Sequence, residues 1–296
     1  MKVGICFPMT MNAALQRDVF TNWCEVVDGS GLSTIALGER IAYHAQDPLI
    51  ALAVASGVTR RVRLMTSVVV LPARNTGVVA KEVASLDVLS GGRFVFGVGI
   101  GNRPADFQAL EAPWPGRAQR IETQIEALRT IWRGETLVEG VTPIGPTPVS
   151  SGGPPIIYGA MSDAALRRAG RIADGIITWS IRPDADAQRA TIRMVDQVWQ
   201  EVGRDGRPHI VAAMYFSLGP KSEEILRSHL TAYYSYSAEA REKVFEISTY
   251  TERAVEDAIR SYAEAGVDEL LLGPPTASVD QINYLADIVS RLGYSI

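Results

Sequence analysis

The chain has 296 residues, 47% of them hydrophobic and 21% charged, enough apolar material for one large soluble core. Lys plus Arg number 29 against 33 Asp plus Glu, for a net charge of -4, and the charges are dispersed instead of gathered in basic blocks. That balance argues against a nucleic-acid or membrane-surface partner. The two cysteines, Cys6 and Cys24, make no metal-ligand spacing and no disulfide framework. MKVGICFP opens directly on a strand pattern, and no run approaches ~20 apolar residues, so a cytoplasmic protein is expected.

Apolar runs at residues 3–7, 34–37, 62–70, 94–98, 156–158, 175–178, 210–216 and 269–272 read as strands. Helical patterns lie between them, at 19–30, 49–58, 117–132, 163–173, 185–202, 251–265 and 280–292. Strict alternation of this kind implies a parallel sheet, and eight rounds imply a closed (β/α)8 TIM barrel forming a single domain. Insertions are expected after strands four and seven. The Pro- and Gly-dense stretch 134–155 (GETLVEGVTPIGPTPVSSGGPP) cannot be a helix and reads as an extended excursion across the rim. Residues 221–247, with Tyr233, Tyr234, Tyr236 and Phe245, read as an extra helical region that either packs on the surface or forms a lid.

The run SLDVLSGGRFVFGVGIG, residues 85–101, contains one complete module. Val79, Val83, Leu86 and Leu89 recur at helical spacing, Gly91 and Gly92 stop the helix, and an almost unbroken apolar strand follows. In such a barrel the residues before a strand lie at the bottom and those after it at the top, where active sites are built. Asp87, Ser90 and Arg93 therefore read as groups that fasten a bottom turn, and Gly99, Gly101 and Asn102 as candidates for ligand contact. By the same rule His44 belongs to the upper rim and His209 to the bottom, while His229 falls in the insertion.

With the strands placed, the chain resembles the luciferase-like flavin and deazaflavin oxidoreductase family, which contains bacterial luciferase and enzymes dependent on coenzyme F420. The resemblance is carried by DPLIALAVASGVTRRVRLMTSVVVLP (residues 47–72), AKEVASLDVLSGGRFVFGVGIG (80–101), ADF (105–107) and PPIIYGAMSDAALRRAGRIADGIITW (154–179). It implies hydride transfer between coenzyme F420 and a small organic substrate, in a homodimer. A reduced-FMN monooxygenase is the near alternative, and a barrel that only binds a flavin or metabolite a further one.

The resemblance also implies site residues. Ser67-Val68 matches a non-proline cis peptide in a strand bulge that backs the cofactor ring. Tyr158, Gly159, Ala160 and Met161 match the turn that cradles the cofactor phosphate, where small residues and amides at a helix start suit an anion. Glu39, Arg40, Asn102 and Trp179 would complete the ring's surroundings. Two positions depart from deazaflavin members: Arg40 stands where a His commonly follows the acid, and Asn102 where sugar-phosphate-oxidising members carry an acid. A guanidinium stays protonated near neutral pH. His44 is therefore the expected proton-transfer group.

Overall fold

The structure, a computed structural model, describes residues 1–9, 16–179 and 184–295. Its strands are β1 (Lys2–Cys6), β2 (Thr34–Leu37), β3 (Arg63–Thr66), β4 (Val69–Val70), β5 (Phe94–Gly99), β6 (Ile156–Gly159), β7 (Gly175–Trp179), β8 (His209–Tyr215) and β9 (Glu269–Gly273). All pair in parallel, and the pairing of β3 with β5 closes the sheet into a barrel. The helices around it are α1 (Arg17–Gly29), α2 (Pro48–Val58), α3 (Thr76–Ser90), α4 (Pro104–Ala109), α5 (Arg117–Trp132) and α6 (Asp163–Ile172). They continue with α7 (Ala185–Glu201), α8 (Ser222–Tyr233), α9 (Ala238–Glu246), α10 (Glu252–Ala265) and α11 (Val279–Arg291). The chain thus folds as the expected (β/α)8 barrel.

Side chains alternate along each strand, which splits the core in two. Inward residues such as Met65, Val95, Ile157, Val211 and Leu271 fill the barrel, and outward ones such as Leu64, Phe96, Ile176 and Leu272 pack under the helices. Each fully buried side chain of this size contributes about 1.5–3 kcal/mol. At the foot of the barrel Glu269 accepts from Ser33 Oγ at 2.8 Å and pairs with Arg63 and Thr34. The bottom assignment of Arg93 also holds: it donates to the carbonyl of Val62 at 2.7 Å and to Thr59 Oγ1 at 3.0 Å.

Two expectations need correction. The run 62–70 is not one strand. Met65 pairs with Val95 and Val69 with Val98, so one strand carries an extra residue between the pairs and bulges, and the Ser67-Val68 peptide within it is cis. Thr66 Oγ1 fills the gap in the ladder, donating to the Gly97 carbonyl and accepting from its amide, both at 2.8 Å. Gly97 is required there, because a Cβ would lie 1.7 Å from the Thr66 carbonyl oxygen. The second correction concerns 134–155, which leaves the lower end of α5 and runs along α3. It is fastened by Lys81 Nζ to the Gly145 carbonyl at 3.1 Å and by Asp87, which accepts from Ser150 N and Oγ at 2.9 and 3.0 Å. It reaches the start of α3, where Ile144 packs against Gly77, but none of it lines the cavity at the top of the barrel.

Candidate active site

The bulge aims Val68 up the barrel axis, and with Trp179 it caps the inner core. Above them lies a cavity of about 420 Å³ at the C-terminal ends of the strands, the end where this fold builds its sites. Trp179 Nε1 donates to Ser67 Oγ at 3.0 Å, which ties the floor of the cavity to β7. Gly99 and Gly159 flank Val68. A Cβ on Gly99 would lie 2.8 Å from a Val68 methyl, whereas one on Gly159 would meet the nearest Val68 and Val98 atoms at 3.4 Å.

Glu39 lines one wall, but its carboxylate is engaged. It accepts from the Val70 amide at 2.6 Å and from Arg74 Nε at 2.9 Å, and Arg74 also pairs with Asp47, the N-cap of α2. Burial pushes the Glu39 carboxyl above its ordinary range, against the pull of Arg74 and the Val70 amide. Glu39 thus holds the bulge in place.

At the opposite wall β6 runs into α6. Alternation turns Ile157 and Gly159 inward and places Tyr158 and Ala160 in the outer core under the helices. Tyr158 and Ala160 therefore do not face the cavity as expected, and the Ala160 amide donates to the Ile177 carbonyl at 3.0 Å and is not available to a phosphate. Gly159 and Met161 do line the cavity, followed by Ser162, the N-cap of α6. In the first turn of α6 Ala165 N donates to Ser162 Oγ at 3.4 Å, which leaves the amides of Asp163 and Ala164 at this wall. Asn102 also lines the cavity, from the loop after β5.

Arg40 and His44 are not brought to the cavity. Arg40 donates to the Tyr233 carbonyl at 3.1 Å, and its guanidinium covers the Tyr43 ring at 4.0 Å and the Tyr233 ring at 5.0 Å. It clasps the last turn of α8 to the loop after β2. His44 follows on the outside of that loop and is exposed to solvent. The rule that sorts loops between the two ends of a barrel places it at the top without setting its distance from the mouth.

The histidine at the cavity is His229, on α8. Helices α8 and α9 form a roof whose underside is aromatic. Rings follow one another from Trp179 to Tyr215 (5.1 Å between centroids), His229 (5.7 Å) and Tyr233 (6.2 Å), with the last pair nearly parallel at 8°. Burial pushes the His229 imidazole down to about 4 and the Tyr234 phenol up to about 12, so both are uncharged at neutral pH. The sequence held one signal for this: His229 and Tyr233 are four residues apart, on one face of a helix.

Two arginines missed by the sequence reading complete the mouth. Arg103 donates to the Tyr236 hydroxyl at 3.2 Å and keeps a buried Nε without a partner. Arg117 donates to the Gly101 carbonyl at 3.2 Å and lies 3.7 Å over the Trp114 ring. Among the described residues neither has a carboxylate partner. The described residues also contain no cluster that could hold a metal ion and no helix long and apolar enough to cross a membrane.

The family model for luciferase-like monooxygenases matches residues 1–291. An uncharacterized protein of Mycobacterium tuberculosis is 28% identical over 241 residues, 79% of this chain and 71% of its own. A 4-hydroxyprotoasukamycin monooxygenase of Streptomyces nodosus subsp. asukaensis is 30% identical over 185 residues, 57% of this chain and 48% of its own. Among solved structures, the coenzyme F420-dependent tetrahydromethanopterin reductase of Methanopyrus kandleri superposes with a TM-score of 0.79 at 18% identity, covering 99% of each chain.

Proposed function

The chain belongs to the luciferase-like monooxygenase family, and from that premise we propose that it is an oxidoreductase exchanging a hydride between coenzyme F420 and a small organic substrate in the cavity above Val68. One observation carries the reading. The cavity has an apolar floor of Val68 and Trp179, and at its edge stand two arginines without carboxylate partners and the start of α6. That donor set fits a flat ring system with an anionic tail. The buried Nε of Arg103 lacks a partner, and the space beside Gly159 admits close approach. Arg103, Arg117, Ser162 and the first-turn amides of α6 would hold the phosphate, and Ser67, Val68, Asn102 and Trp179 would orient the ring. When bound, the deazaflavin supplies two-electron hydride exchange, while the protein contributes orientation and exclusion of water.

The test is to mix the protein separately with coenzyme F420 and with FMN. Binding of F420, followed by an anaerobic absorbance change with a reducible substrate, is the expected result. Oxygen consumption with reduced FMN and no response to F420 would instead make it a monooxygenase. Binding of neither would remove the proposal.

We also propose that two copies of the chain pair through α2 and α3, which lie side by side and leave Ile50, Val54, Val78 and Leu89 exposed. Sedimentation should find a dimer that Ile50→Glu with Val54→Glu dissociates. A monomeric parent chain would refute the pairing.

A further inference from the structure

We infer that the upper half of the cavity takes an uncharged aromatic substrate bearing a hydroxyl or carbonyl oxygen, with its ring against the roof and that oxygen hydrogen-bonded to His229. This rests on the reading of the cavity as the reaction site. The two halves of the cavity differ in chemistry. Arg103 and Arg117, which suit an anion, stand by the loop after β5, and the Arg103 guanidinium reaches the far end of the roof, 5.3 Å over the Tyr233 ring. A chain of rings climbs from the floor to the roof through Trp179, Tyr215, His229 and Tyr233, spaced 5.1–6.2 Å apart. Flat apolar walls of this kind hold a flat apolar body through offset or edge contacts between rings.

Polarity then narrows the class. For a cation, Glu39 is already taken by Arg74 and the Val70 amide, and Asp106 is 4% exposed with its Oδ1 accepting from the Ala42 amide at 2.9 Å. A charged group pressed against the rings of Trp179, Tyr215 and His229 would lose its water without gaining an ion-pair partner there, a cost that a neutral oxygen avoids. His229 is the polar group left open there. It lines the cavity, and among the described residues neither of its ring nitrogens has a hydrogen-bond partner. A neutral imidazole offers one donor and one acceptor, so it can pair with a hydroxyl or a carbonyl. The phenols of Tyr215 and Tyr234 on either side are held protonated by burial.

Three probes with the same ring separate the possibilities: 2-naphthol, 2-naphthylmethylammonium and 2-naphthoate, titrated calorimetrically into the full chain in the presence of coenzyme F420. The expected result is that 2-naphthol binds at least ~10-fold more tightly than either charged probe. His229→Leu, which keeps the bulk and removes the hydrogen bond, should weaken 2-naphthol ~5–10-fold. His229→Gln, which restores a donor and an acceptor, should recover most of that loss, and His229→Phe, which keeps a ring without hydrogen-bonding atoms, replaces the Leu variant if the latter fails to fold. Either charged probe binding as tightly as 2-naphthol, or unchanged 2-naphthol affinity in folded His229→Leu or His229→Phe, would overturn the inference. A protein that binds 2-naphthol as expected but takes up neither F420 nor FMN would refute the proposed oxidoreductase activity alone.

Discussion

Glu269 is 1% exposed at the foot of the barrel, yet its partners keep it charged. Burial alone would push its carboxyl up, but His209, Arg63 and the Thr34 and Ser33 hydroxyls outweigh that and hold it at about 2. Its folded-state value therefore lies below the ordinary 4.5, so the stabilisation is fully present above pH 4.5 and is lost as the pH falls toward 2. The contribution is on the order of 3 kcal/mol. Glu269→Gln should melt lower at neutral pH and lose less stability than the parent between pH 4.5 and 2. Parallel curves for the two proteins would show that this charge is not coupled to folding.

Gly159 is the residue-scale test of the phosphate wall. A Cβ fits there at ordinary contact distance, so Gly159→Asp should fold with a near-normal melt. Its carboxylate would face the phosphate with like charge and weaken cofactor binding by ~10-fold or more. Unchanged affinity in the folded variant would place the phosphate elsewhere.

Among the elements, the clasp of Arg40 on α8 makes a separate prediction. Arg40→Ala removes the hydrogen bond to the Tyr233 carbonyl and the guanidinium over two tyrosine rings. Local opening of the last turn of α8 should become easier by about 1–3 kcal/mol while the barrel melts nearly as before. Amide exchange around residues 230–234 reads this directly, and unchanged protection there would mean that other contacts hold the roof. The strands were legible in the sequence because parallel strands covered on both sides appear as continuous apolar runs. For the same reason the bulge was not: MTSVVVLP is apolar on both sides of the break, and only the family resemblance located it at Ser67-Val68. The roof's aromatic residues were visible, but their aim was not. Which face of α8 turns inward is set by contacts to Tyr215, at the end of β8, and to Arg40, far away in the chain. Likewise Gly159 and Met161 line the cavity, while strand alternation turned Tyr158 and Ala160 away from it.

At the scale of the whole molecule, one body carries the fold and another covers its mouth. The roof departs after β8 and returns before α10, and its two ends meet. Phe216 bridges Thr249 in parallel, Ser217 N donates to the Thr249 carbonyl at 2.9 Å, and Thr249 N donates to the Tyr215 carbonyl at 3.2 Å. The barrel's strands close without it. Segment 218–248 thus leaves and rejoins the barrel at one place, and a short Gly/Ser bridge between Ser217 and Thr249 should leave a folded barrel that keeps affinity for the cofactor and loses the preference for 2-naphthol. Failure of the shortened chain to fold would show the two bodies to be interdependent. If it folds, descendants of one barrel can acquire new substrates by replacing a single surface segment, with the floor, the bulge and the phosphate wall left untouched.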